Sequence, residues 1–200
     1  MSKDSRQRMV DAAAILLARY GIDGTAFSDV LERSGAPRGS IYHHFPGGKD
    51  DLVRAAMQLV GDRALRSLDE VAGRPPREVT ACFLDLWRQV LVISNLRAGC
   101  AVLAVTVATE ADDLLDLAAA IFRAWRGRLA DLYVQGGMAR DAAARLAAVV
   151  VSASEGAVVL SRAERDLEPF DLVAEQLLES SATTRRRPSR DRSRGSPPGR

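Results

Sequence analysis

Residues 25–49 read TAFSDVLERSGAPRGSIYHHFPGGK, and the spacing of residue types in this stretch divides it into two short helices around a tight turn. Thr25 is suited to cap the first helix by accepting a backbone N–H from its first turn. Val30 and Leu31 are expected to face inward. Gly35 follows Ser34, where a left-handed residue stops a helix at no steric cost. Pro37 falls at a first helical position, which needs no N–H and suits its fixed φ. The second helix, about residues 37–44, is too short to stand alone in water and must be held by neighbours. Ile41 and Phe45, four residues apart on one face, are the side chains that can anchor it. Arg38, Gly39, Ser40, Tyr42 and His43 are then left on the outer surface. Two short helices joined by a Gly-containing turn form a helix-turn-helix, whose second helix enters the major groove of DNA.

Outward from this stretch, helical periodicity continues in both directions. Before it, Met9, Ala12, Ala13, Leu16, Leu17 and Tyr20 make one apolar stripe over residues 4–20, ended by Gly21. After the Gly47-Gly48 hinge, Leu52, Val53, Ala56, Leu59 and Val60 open the buried side of a helix over 49–71. Gly73 to Pro76 break the chain, and a helix over 76–95 carries Val79, Phe83, Leu86 and Trp87. The run AVLAVTVAT at 101–109 suits a buried strand or a buried helix by composition, and the lack of any partner strand favours the helix. Helices over 110–133 and 140–165 follow, separated by Gly136-Gly137, and a last one begins at Glu168-Pro169. The expectation is an all-α fold of about nine helices.

Length and composition set the outer bounds. The chain has 200 residues and 47% hydrophobic content, enough for one or two domains with a good core. The net charge of +2 is unevenly spread: residues 181–200 hold seven Arg and one Asp, a net +6, which leaves −4 on the rest. The basic character therefore belongs to the tail and says little about the body. Cys82 and Cys100 are too few for a disulfide framework, which points to a reducing cytoplasm. The N-terminal apolar run is broken by Asp11 and Arg19, so neither a signal peptide nor a membrane span is expected there. His43 and His44 are adjacent and diverge by about 100° on a helix, and ligand spacings of the usual metal sites are absent. No nucleophile elbow, phosphate loop or dinucleotide fingerprint occurs. No metal, cofactor, membrane partner or catalytic role is expected.

The run GAPRGSIYHHFPGGKDDLV, residues 35–53, resembles the DNA-binding signature of TetR-type transcriptional regulators. Ala-Pro before the second helix and Pro-Gly-Gly-Lys after it resemble the LmrA/YxaF-like branch, with Tyr42, Phe45 and Lys49 specific in combination. The resemblance implies a helix-turn-helix DNA-binding domain over 1–48 and a larger helical effector-binding and dimerisation domain over 49–180, while residues 181–200 lack large apolar residues and are expected to be a basic disordered tail. The tail either adds non-specific attraction to DNA or is an inert solubilising end.

On that resemblance, Tyr42 and His43 lean on the DNA backbone. Arg38 can bond guanine O6 and N7 together. Gly39 lets the helix approach the duplex, Ser40 can donate to phosphate or base edges, and Thr25 and Lys49 are expected to contact phosphate. His44 either does the same or packs on the first helix.

The run AAVVVSASEGAVVLSRA, residues 147–163, is apolar nearly all round, so it is either a central core helix or half of a four-helix interface between two copies. The resemblance implies the second, a homodimer through the last two long helices, with Val150, Ala153, Ala157, Val158, Phe170, Val173 and Leu177 as interface candidates. Phe83, Trp87, Phe122 and Trp125 are either core filler or the walls of an effector pocket. The resemblance implies an effector between the middle helices. Cys100 and Ser154 are the candidate polar groups there, with Thr106, Asn95 and Glu155 also available. The implied activity is a repressor released from a pseudo-palindromic double-stranded DNA operator by a small apolar or aromatic effector. The alternative is a helix-turn-helix DNA binder without effector control.

Overall fold

The computed structural model describes residues 2–182, and among the described residues there are nine helices and no strand. The head consists of α1 (Ser2–Tyr20), α2 (Phe27–Ser34) and α3 (Ser40–His44). The body consists of α4 (Lys49–Asp69), α5 (Pro76–Ile93), α6 (Ala101–Thr106), α7 (Asp112–Gln135), α8 (Arg140–Glu164) and α9 (Glu168–Ala182). The 101–109 run is the short buried helix α6, with Val102 and Val105 fully covered. α9 extends through Ala182, and Ser181 is buried with its Oγ donating to the Leu178 carbonyl at 2.9 Å, so residues 181 and 182 belong to the helix and not to the expected tail. Residues 183–200, with most of the basic tail, lie outside the described residues.

In the head, Met9, Ala13 and Leu17 of α1 form a floor for Val30 of α2 and Ile41 of α3, all fully buried. Gly35 ends α2 in the left-handed region at φ 63°, as its position suggested. Two local expectations are corrected. α2 begins at Phe27 with Ala26 as its N-cap, and no side chain caps it. Thr25 instead donates from Oγ1 to the Gly21 carbonyl at 2.7 Å, in the turn just past α1, and is buried there. α3 proper starts at Ser40 rather than Pro37, since residues 37–39 form a turn closed by Ser40 N–H to the Pro37 carbonyl at 2.9 Å. Tyr20, placed in the apolar stripe by periodicity, lies at the end of α1 and is half exposed.

α4 carries the head on the body. At its start a Cβ on Gly47 would fall 2.6 Å from the Asp51 carboxylate, which accepts the Gly47 N–H at 2.7 Å, and Gly48 adopts φ 77°. Gly48 is favoured by its positive φ, while a side chain at Gly47 would displace the Asp51 carboxylate from its N–H. Along its length α4 packs on α1 and α7. Gly61 is buried against Ile121 of α7, and the Trp125 indole N–H donates to the Gly61 carbonyl at 3.1 Å. Arg128 and Asp69, 2.7 Å apart, and the pair Arg54–Asp113 fix the same two helices at the surface. Such exposed pairs set register more than stability. α5, α7, α8 and α9 close the body, with a buried hydrogen bond between Thr80 and Tyr133 hydroxyls at 2.8 Å.

One buried acid stands apart. Glu155 of α8 lies in the core with neither carboxylate oxygen hydrogen-bonded, beside Cys100. Burial raises its pKa to about 7, and burial with the nearby Glu155 carboxylate pushes the Cys100 thiol well above its ordinary value. That thiol is inert, not activated. Its Sγ accepts the Leu103 N–H at 3.4 Å and so caps α6.

Two outcomes follow from this packing. Trp125→Phe removes the indole donor and part of a fully buried side chain, and is expected to lower unfolding free energy in urea by about 1–3 kcal/mol without changing the slope. Glu155 has a folded pKa above its unfolded value, so the proton it retains stabilises the fold fully below about pH 4.5. That stability is lost as pH rises to about 7, amounting to about 3 kcal/mol. Glu155→Gln is expected to remove this dependence from urea midpoints measured between pH 4.5 and 8.

Candidate nucleic-acid interface and effector region

The outer face of the head is built on a helix of five residues. Ile41 and Phe45 are buried beneath it, and Arg6 of α1 places its guanidinium 5.3 Å from the Phe45 ring centroid. Those anchors turn Tyr42 and His43 outward, with Tyr42 69% exposed. Tyr42 is nonetheless propped: its ring meets Phe27 of α2 edge-on at 5.8 Å between centroids. Arg38 and Gly39 are exposed in the turn preceding α3, and Arg38 has no carboxylate within ion-pair reach among the described residues. Ser40 is half-buried, and its hydroxyl donates to the Pro37 carbonyl at 2.7 Å, leaving only acceptor capacity free. Lys49 is half-buried as the first residue of α4, close in sequence to this face. His44 is half-buried with its ring between those of His43 and Phe45, at 5.3 and 6.5 Å.

Of the sequence candidates, the structure thus brings Arg38, Gly39, Ser40, Tyr42 and His43 onto one turn-and-helix segment, while Thr25 lies buried against the end of α1. Three supporting residues are not singled out by the sequence reading: Phe27, Arg6 and Asp51. Phe27 and Arg6 act through contacts across helices, which spacing along one helix does not reveal. Asp51 could have been found, being an acid in the first turn of α4 four residues after Gly47. No group of three His, Cys, Asp or Glu side chains able to hold a metal occurs among the described residues.

In the body, Phe83, Trp87, Phe122 and Trp125 form one cluster. Trp125 meets the other three edge-on at centroid distances of 5.5–6.0 Å, and Phe83 meets Trp87 at 6.0 Å. These rings fill the space between α5 and α7 with one another. Cys100 and Ser154 are buried, and each is engaged within its own element: Ser154 donates to the Val151 carbonyl at 3.1 Å.

The last two helices divide into an inner and an outer face. Val150, Ala157, Val158, Phe170 and Leu177 are packed within the chain's own core, and Ala153 and Val173 are half-buried. The face turned to solvent carries Val149, Ser152, Gly156, Val159 and Leu160 of α8, with Leu172 of α9, the four large apolar side chains being about half exposed.

Residues 9–65 match the family model of bacterial regulatory proteins of the tetR family, and residues 76–176 match that of the C-terminal domain of LmrA/YxaF-like transcriptional regulators. The HTH-type transcriptional regulator Rv0196 of Mycobacterium tuberculosis is 41% identical over 181 residues, covering 86% of this chain and 91% of the relative. The HTH-type transcriptional regulator LmrA of Bacillus subtilis is 27% identical, covering 84% and 91%. The crystal structure of regulatory protein TetR from Rhodobacter sphaeroides shares the fold at a TM-score of 0.77 and 20% identity, covering 88% of this chain and 98% of that one. A TetR transcriptional regulator from Chloroflexus aurantiacus has a TM-score of 0.74 at 27% identity, covering 92% and 96%. A helix-turn-helix head braced on a helical body, matched over both parts, makes this chain a member of the TetR family of DNA-binding transcriptional regulators, in its LmrA/YxaF-like branch, and not an enzyme.

Proposed function

We propose that the chain represses transcription as a homodimer and is released from a pseudo-palindromic operator by a small apolar or aromatic effector in the cytoplasm. Residues 1–48 serve as the reading head, residues 49–180 as the effector-binding and dimerisation unit, and the tail as an accessory. The observation that carries this reading is the outer face of α3 and its preceding turn, where Arg38, Tyr42 and His43 stand exposed on a helix pinned from beneath. Arg38 reads a guanine edge. Tyr42 and His43 contact the phosphate backbone, Ser40 accepts from a donor on a base edge, Gly39 admits the duplex, and Lys49 adds a phosphate contact. Thr25 contributes by fixing the α1–α2 connection, and through its backbone where that meets DNA.

The half-exposed apolar face of α8 and α9 supports the dimer. Val149, Val159, Leu160 and Leu172 lie around Ser152 and Gly156, small residues that admit a second helix closely. Ala153 and Val173 at its edge join the contact, while Val150, Ala157, Val158, Phe170 and Leu177 support it from behind. Two heads held this way meet half-sites one helical turn, or a multiple of it, apart. An effector acts only through its differential affinity for the conformation with mis-spaced heads.

A second reading, DNA binding without effector control, draws on the mutual packing of Phe83, Trp87, Phe122 and Trp125. Rings that fill the middle of the body leave no room among themselves for a ligand. Operator affinity unchanged across a panel of apolar and aromatic compounds would favour it.

Two measurements test the main reading. In fluorescence anisotropy on DNA just upstream of the gene against a scrambled control, Arg38→Ala is expected to lose about 10- to 100-fold in specific affinity, a loss of about 1–3 kcal/mol. Equal binding of both DNAs by the unaltered protein would remove the reading of a sequence-specific head. Leu160→Glu is expected to turn a dimer into a monomer in sedimentation velocity and to weaken operator binding with it. A dimer that persists would exclude the α8–α9 face as the interface.

A further inference from the structure

A recess of about 520 Å³ lies where the head meets the body, between α1, α4 and α5, and of the aromatic cluster only Trp87 reaches its wall. Its walls are mostly apolar: Ile15 and Ala18 of α1, Val60 of α4, and Trp87, Val90 and Ile93 of α5. The size and lining match those of small-molecule sites. Ile15 and Ile93 are 43% and 84% exposed, so apolar surface faces solvent here without cover. Trp87 is 4% exposed, yet its indole N–H finds no acceptor. An apolar wall left open over this span calls for a partner from outside the chain.

The charge at the rim narrows what that partner is. Arg19, Arg33 and Arg63 line the recess. Arg63 is paired with Asp11, whereas Arg19 stacks 5.1 Å over Tyr20 and has no carboxylate in ion-pair reach among the described residues. Arg33 is likewise unpaired, although Asp29 and Glu32 line a neighbouring hollow with it. No residue of α8 or α9 lines the recess, which separates it from the face on which a second copy would dock.

We propose that this recess binds an apolar organic acid, with its hydrocarbon body over Ile15, Val90, Ile93 and Trp87 and its carboxylate at Arg19 and Arg33. This inference rests on the reading of an effector-controlled regulator, and it moves the effector from the aromatic interior to the joint. The position gives it a route to the DNA. The Gly99 N–H donates to the Ala18 carbonyl at 2.8 Å along the same joint, tying α1 to the turn before α6. A ligand wedged between α1 and α5 alters the angle at which the head is carried.

The test uses the full chain and decanoate as probe, titrated calorimetrically without DNA, with decanol as the uncharged comparison. Saturable binding of one decanoate per chain is expected, tighter than decanol. Arg19→Gln combined with Arg33→Gln is expected to weaken decanoate at least tenfold and leave decanol unchanged. Ile93→Glu, at an exposed position that does not disturb folding, is expected to weaken decanoate more than decanol. Saturating decanoate is then expected to shift anisotropy-measured affinity for upstream DNA at least fivefold in the unaltered protein. Absence of saturable binding, equal affinity for decanol, or variants indistinguishable from the unaltered chain would overturn the site. Decanoate binding without any shift in DNA affinity would overturn its role as effector. Failure to bind upstream DNA with no probe present would instead strike the regulator reading and leave the calorimetry standing.

Discussion

A helix of five residues holds no shape of its own in water, because nucleation costs more than so few hydrogen bonds return. The reading surface of this protein is nonetheless such a helix, and much of the head exists to hold it. Ile41 and Phe45 are fully buried under α3, which converts the free energy of the apolar floor on α1 into helical geometry above it. Arg6 covers Phe45 from the side, and Phe27 props Tyr42, so even an exposed contact residue is held in place by an aromatic neighbour. A short, borrowed helix has a functional consequence. Its orientation follows whatever moves α1 and α4.

α4 is the element that carries such movement. At one end it follows two glycines, Gly47 held by the Asp51 carboxylate and Gly48 in a positive-φ conformation. In the middle Gly61 brings its backbone against α7, where Ile121 and the Trp125 indole fix it. The body offers α4 a rigid partner because Trp125 is itself locked among Phe83, Trp87 and Phe122. Close packing of this kind transmits displacement rather than absorbing it. The joint itself is lightly closed, with one wall on α1 and others on α4 and α5.

α8 shows how composition alone misleads. By length and apolarity it could cross a bilayer. In the fold, one face lies in the core and carries a buried acid, Glu155, while the other presents Val149, Val159 and Leu160 beside small residues. The described residues cover one of its apolar faces and leave the other half exposed.

Much of this was legible along the chain because helical boundaries are local events. Gly35 and Gly47-Gly48 announced breaks through conformations open to glycine, and periodic apolar residues located the helices, including the short α6. The outward set Arg38, Gly39, Tyr42 and His43 followed from Ile41 and Phe45 pointing the other way. Thr25 was misread as a cap of α2 because a hydroxyl near a helix start can serve either neighbour, and only the folded turn chose the Gly21 carbonyl. The large aromatics of α5 and α7 were correctly gathered into one interior, but whether rings enclose a space or fill it depends on angles between helices. The same holds for α8, whose sequence marks every face as apolar and cannot say which one the chain covers. The recess at the joint left no trace in the sequence, since its walls come from residues 14 to 101 on several elements. Sequence by itself determined the elements, the helix-turn-helix and its outward residues, for those rest on backbone conformation and periodicity within a few turns. Tertiary structure alone decided what is filled, what is open and which donors lack partners, because those are properties of the distances between helices.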